Sequence, residues 1–147
     1  MTTINLQDKT EALEGIIESY WFENESIGLI NTLFHRFTIP LKPFESGFEY
    51  DEQPLETEIV LDWYALGLDK PEELDGLNIA ENSNEDAEGS VYVGCAHNSV
   101  VVKKLALSRL EAGNFNAEGE LHIEFENEGV GNNEIFKFST TLKYQKT

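Results

Sequence analysis

Cys95 and His97 are the residues of this sequence nearest to a reactive pair. In Cys95-Ala96-His97 a strand would project both side chains to one face, where a thiolate and an imidazole can meet. Such a nucleophile also needs an orienting group and an oxyanion site, and no flanking motif supplies either, so the sequence reads as a small buried thiol near a turn. As zinc ligands the pair is two short, and His35 and His122, the other histidines, lack ligand spacing. His122 stands among Glu120, Glu124 and Glu126, carboxylates that would favour its charged form and could join it on a divalent ion. A solvated strand face with one titrating histidine accounts for the same residues. Asp86-Ala87-Glu88-Gly89 and Glu126-Asn127-Glu128-Gly129 lack the spacing of a calcium loop, and Gly129-Val130-Gly131 lacks the third glycine of a dinucleotide fingerprint. With 28 acids in 147 residues, no carboxylate pair stands out as glycosidase-like. The expectation is a chain with no catalytic residues, no metal and no cofactor.

The elements that would position these groups belong to an acidic chain. Ten Lys and Arg against 28 Asp and Glu leave a net charge of −18, which excludes a nucleic-acid groove or an anionic membrane as the default partner. A hydrophobic fraction of 40% supports a packed core, and the length suits one domain over residues 1–147. One cysteine excludes an intramolecular disulfide framework. The amino terminus shows no basic leader followed by an apolar stretch, and no apolar run approaches the roughly 20 residues that cross a bilayer. A soluble, cytoplasmic protein is the expectation. Charge is concentrated: residues 49–90 hold 14 acids and a single base, Lys70.

Strand patterns dominate from residue 55. Leu55, Thr57, Ile59, Leu61 and Trp63 alternate with Glu56, Glu58, Val60 and Asp62; Val91 and Val93 open a short strand after Gly89; Val101, Leu105 and Leu107 share a face with Lys103 between them. Phe115 to Phe125 and Phe136 to Tyr144 alternate most cleanly, and pairing them sets Glu118, Glu120 and His122 beside Lys137 and Lys143. Glu81 to Gly89 reads as an exposed loop, and Asp69 to Leu74 as a capped single helical turn. Residues 8–20 fit either a short helix or a turn into a strand, with the strand preferred for 16–23; residues 33–41 read as a strand ended by Pro40. The expected fold is mainly β, a single-domain antiparallel β-sandwich or flattened barrel with minor helix.

Gly89-Ser90-Val91-Tyr92-Val93-Gly94, Ala96-His97-Asn98-Ser99-Val100, a Leu74-Asp75-Gly76 turn and the stretch from Leu121 to Gly129 carry a resemblance of pattern over residues 49–145. In these the chain resembles small acidic bacterial proteins encoded in polymorphic-toxin and contact-dependent-inhibition neighbourhoods. The resemblance implies an immunity protein that binds a toxin stoichiometrically and has no catalytic residues to carry across. Opposite potentials speed encounter, and toxin nucleases are basic, so the expected partner is a basic protein, with a toxin nuclease domain as the example. The expected contact residues are Glu56, Glu58 and Asp62 on one strand and Glu81, Glu85, Asp86 and Glu88 in the acidic loop. The rival expectation is a small-ligand carrier or enzyme with a pocket among Tyr20, Phe34, Trp63 and Tyr92.

Overall fold

In the computed structural model, which describes residues 3–81, 84, 86–111 and 113–145, the longest alternating segments become the strands that organise the rest. A short helix α1 (Leu6–Lys9) precedes β1 (Gly15–Asn24), β2 (Leu29–Pro40), β3 (Glu58–Tyr64), β4 (Asn78–Ala80), β5 (Glu88–Val93), β6 (Ala96–Arg109), β7 (Asn114–Ile123) and β8 (Glu134–Gln145). The protein is mainly β, at 56% strand and 8% helix.

The strands form one closed barrel, not a sandwich. Around the circuit β6, β5, β3, β2, β1, β8 and β7 are neighbours, and β7 returns to β6; β4 is an eighth strand pairing β6 beyond the end of β5. Closure corrects the expectation of a sandwich because the fourteen-residue β6 reaches β5, β4 and β7, and β1 meets β8 instead of ending a second sheet. The β1–β8 contact is parallel, whereas the other pairings are antiparallel. Closure removes the free sheet edges a sandwich must otherwise protect. Gly15 sits where β1 is squeezed between β2 and β8: a Cβ there would lie 2.0 Å from the Thr38 carbonyl oxygen.

Inward positions follow the period-two pattern. Phe115, Ala117, Leu121 and Ile123 of β7 face Phe136, Phe138 and Leu142 of β8 in the buried interior, with Ile17, Phe37, Ile59 and Leu61 opposite. Outside, Glu120 lies 3.7 Å from both Lys104 and Lys137, so acidic and basic strand faces do meet there. β6 departs from simple alternation. Val100 and Val102 point in, the register then slips between Val102 and Lys104, and Leu105 and Leu107 point in. The bulge absorbs Lys103, so Val101 does not share the face of Leu105. At the end of β3 the alternation also breaks: Trp63 has φ of 62°, and Tyr64 takes the buried position.

The first half resolves as a strand from Gly15, with helix limited to α1 and one 3-10 turn at Glu25–Ile27. Glu134 anchors that helix by accepting the backbone N–H groups of Ile4 (2.9 Å), Asn5 (3.0 Å) and Leu6 (2.8 Å). β2 begins at Leu29, four residues earlier than its apolar pattern indicates. Asp69 to Leu74 makes successive turns and no helix, with Leu74 fully buried as its anchor.

Candidate functional site

The 46–55 segment and the β5–β6 hairpin build an acidic concavity on the described surface. Between Val93 and Ala96 the chain reverses through Gly94 (φ 68°) and Cys95 (φ 55°), a two-residue turn in which both centres are left-handed. Asn98, buried beneath it, holds Nδ2 within 3.1–3.2 Å of the carbonyls of Val91, Val93 and Ala96. Asp51, 6% exposed, ties this turn to the preceding loop. Its carboxylate accepts the Gly94 N–H at 3.0 Å, the Cys95 N–H at 2.9 Å and the Ser46 hydroxyl at 2.8 Å. The result is a fixed wall between a loop that would otherwise have only its own turn chemistry and a hairpin that belongs to the barrel.

Two open depressions meet along that wall. One, of about 430 Å³, is lined by Glu56, Glu58, Val60, Ser90, Tyr92 and His97. The other, of about 700 Å³, is lined by Tyr50, Asp51, Glu52, Pro54, Glu56, Tyr92 and Cys95. Glu56 and Tyr92 belong to both, so the two form one groove. Glu52, Glu56 and Glu58 are exposed and, among the described residues, none is in an ion pair. Tyr50 is 61% exposed and Tyr92 37% exposed, while the Tyr92 and His97 rings meet edge to face at 5.1 Å. The Tyr92 phenol is raised above its ordinary pKa, first by the Cys95 thiol beside it and then by desolvation and the Asp51 charge. Three unpaired carboxylates flanked by aromatic surface suit a guanidinium or ammonium side chain, which gains a charged partner and a ring face together.

Among the described residues, no hydrogen bond joins Cys95 to His97. Cys95 is exposed in the turn instead of buried, and its Sγ donates to the Tyr50 carbonyl oxygen at 3.3 Å. His97 is the second residue of β6 and packs on Tyr92. Among the described residues, no group of three His, Cys, Asp or Glu is arranged to hold a metal ion.

Of the residues expected from sequence, Glu56 and Glu58 lie in the groove. Asp62 and Glu88 face each other across β3 and β5 on the same outer side of the barrel. Asp62 is committed to structure: it accepts the Tyr20 hydroxyl at 2.6 Å and the Trp63 N–H at 2.7 Å, and pairs with Arg36 at 2.9 Å. That partnership, with burial, raises the Tyr20 phenol beyond its usual range, burial being the larger cause. Glu81 is bound to Lys103 at 2.7 Å, Asp86 is exposed in the turn before β5, and Glu85 lies outside the described residues. Sequence reasoning missed Tyr50, Asp51 and Glu52. Their signal was the acidic Glu49-Tyr50-Asp51-Glu52 run, which lacks strand periodicity and so did not point to a wall.

The aromatic residues named as a rival pocket divide between two places. Trp63 packs against Tyr20, Phe22 and Phe34 at 5.2–5.6 Å on the outside of β1 and β2, filling the space with rings, and Tyr92 is part of the acidic groove. Inside the barrel His35 is fully buried; its Nε2 bonds the Pro71 carbonyl oxygen at 2.8 Å and its Nδ1 has no partner. Burial lowers its pKa and is the main cause, with the Pro71 bond opposing. Tyr64, buried beside it in register, is pushed up to about 12 by desolvation.

No family model, curated protein or solved structure matches this chain. Among the described residues, no helix is long and apolar enough to cross a membrane.

Proposed function

We propose that the protein is a non-catalytic binding protein of the immunity type, which blocks a basic protein domain by seating that domain's cationic side chains in the groove around Glu56. The observation that carries this reading is the juxtaposition of unpaired Glu52, Glu56 and Glu58 with the exposed rings of Tyr50 and Tyr92 on a wall held by Asp51. Aromatic surface supplies area at little rotamer cost, and the carboxylates orient and accelerate encounter. A basic nuclease domain of a toxin is the partner this chemistry fits, since its own substrate is anionic and the groove presents the same sign of charge.

The reading predicts that a neighbouring reading frame encodes a toxin with a basic nuclease domain, and it is tested against that domain in catalytically inactivated form. A one-to-one complex should form, and the double variant Glu56→Ser, Glu58→Ser should associate about three- to tenfold more slowly at low salt. The gap should narrow as salt rises, because the Debye length falls from about 10 Å at 0.1 M to about 3 Å at 1 M. Absence of a complex, or equal association rates at both salts, would overturn it.

A further inference from the structure

The segment between β3 and β4, residues 65–77, packs over His35 on the inner wall of the barrel. Leu74 is fully buried, and Leu66, Leu68 and Leu77 lie against the core. The base of the segment is tied to the end of β6. There Gly76 donates to the Leu107 carbonyl oxygen at 2.9 Å, Leu107 donates to that of Leu77 at 2.9 Å, and Asp75 accepts the Arg109 N–H at 2.7 Å. Over residues 66–73 the hydrogen bonding to the barrel among the described residues comes down to His35, whose Nε2 lies 2.8 Å from the Pro71 carbonyl oxygen. Gly67 and Gly76, both at positive φ, bound the stretch. A carbonyl oxygen only accepts, so Nε2 carries the ring proton and Nδ1 is a bare acceptor, fully buried and without a partner.

We propose that residues 66–74 are a pH-sensitive lid latched by His35, whose protonation in mildly acidic solution releases the segment and uncovers this part of the barrel wall. The device is independent of the acidic groove. A second ring proton would sit on Nδ1, which has no acceptor, and its charge would lie in a site without a counter-ion. The register partners of His35 are Ser19 on β1 and Tyr64 on β3, and Tyr64 is neutral because desolvation pushes its phenol up to about 12. On β8, Tyr144 shares a 2.7 Å hydrogen bond with the Ser19 hydroxyl. Glu18, Arg36 and Asp62 pair with one another on the outer face, and Asp69, Lys70, Glu72, Glu73 and Asp75 of the segment itself are exposed. Burial and the Pro71 bond are what act on the His35 pKa, and no charge contributes. Relief therefore means bringing the ring to water. The strands on either side are laddered to β2, whereas the lid is held there by its leucines and the Pro71 bond. The open form takes up the proton at the ordinary histidine value of 6.5, so each pH unit below that multiplies the open population by about ten until the lowered value of the closed form is reached.

Residue-resolved hydrogen exchange of the full chain, with and without about 1 M urea, tests this. The Glu73 and Leu74 amides, bonded to the Lys70 and Glu72 carbonyls of the same segment, should exchange through an opening that urea hardly changes, while the amides of β7 exchange through urea-sensitive unfolding. Corrected for the intrinsic rate, the lid opening should rise about tenfold from pH 7.5 to pH 5.5. His35→Gln, whose side-chain amide can still donate to Pro71, should keep it flat over that range. In the wild type, which needs no variant to fold, the chemical shifts of the lid amides should follow the titration of the His35 ring. Lid exchange as sensitive to urea as that of β7, or an opening indifferent to pH, would overturn the proposal. So would a pH slope that survives in His35→Gln, or lid shifts that titrate apart from the His35 ring.

Discussion

Replacing Asp51 by alanine removes the carboxylate that joins the 46–55 loop to the β5–β6 turn, and the cost follows from what each partner then faces. The Gly94 N–H is buried and accepted by Oδ2 at 3.0 Å; with no water to replace the acceptor it carries most of the desolvation penalty, about 1–3 kcal/mol. The Cys95 N–H, at an exposed residue, can turn to water and loses about 0.5 kcal/mol. Ser46 still accepts from Gln53 Nε2 at 2.7 Å, so its loss is about 0.5–1 kcal/mol. Together these give about 3 kcal/mol, which for a domain of this size lowers the melting temperature by about 6–12 °C. Urea unfolding followed by circular dichroism measures it, with an unchanged m-value showing that the same surface is exposed. Asp51→Asn, which keeps one acceptor and points an amide donor at the other N–H, should fall between. A midpoint for Asp51→Ala within about 0.5 kcal/mol of the wild type would mean that the turn stands without the carboxylate, and that the groove wall is not built as described.

Cys95→Gly should stabilise the protein by about 0.5–1 kcal/mol in the same assay, because Cys95 holds φ of 55° and glycine adopts that region without steric cost. Glu134→Ala should destabilise by about 1–3 kcal/mol, since it orphans the N–H groups of Ile4, Asn5 and Leu6 at the start of α1; thermal melting of the variant measures the loss. Stability should be fully present above pH 6.5 as far as His35 is concerned and fall as the pH drops from 6.5 toward its lowered folded value. In that window the unfolded chain binds the proton and the folded one does not, and urea titrations of His35→Leu should lack the slope.

Much of the strand content was legible because alternation depends only on which residues avoid water. Phe115 to Ile123 and Phe136 to Leu142 lie where period two places them, and the Glu120–Lys137 pair follows from the register. Three failures have local causes. The bulge at Lys103 reverses the phase of β6, the left-handed Trp63 brings Tyr64 inward, and Leu29 to Thr32 joins β2 although its tip has no buried face. At the candidate site, Glu56 and Glu58 were identifiable by charge alone. Asp51 was not, since a carboxylate among four acidic or aromatic neighbours gives no sign that two distant N–H groups will point at it.

Sequence alone determined the charge of −18, its concentration between residues 49 and 90, the mainly β character and the lack of a recognisable catalytic motif, because each is a property of residue type and short-range order. Tertiary structure decided that the strands close into a barrel, since a strand with one apolar face buries it equally well in a sandwich, and only the β1–β8 and β6–β7 pairings choose. It also divided the acids by role. Asp62 is bound to Arg36 and Glu81 to Lys103, whereas Glu56 and Glu58 are left facing water, a division set by which cations the fold brings within reach.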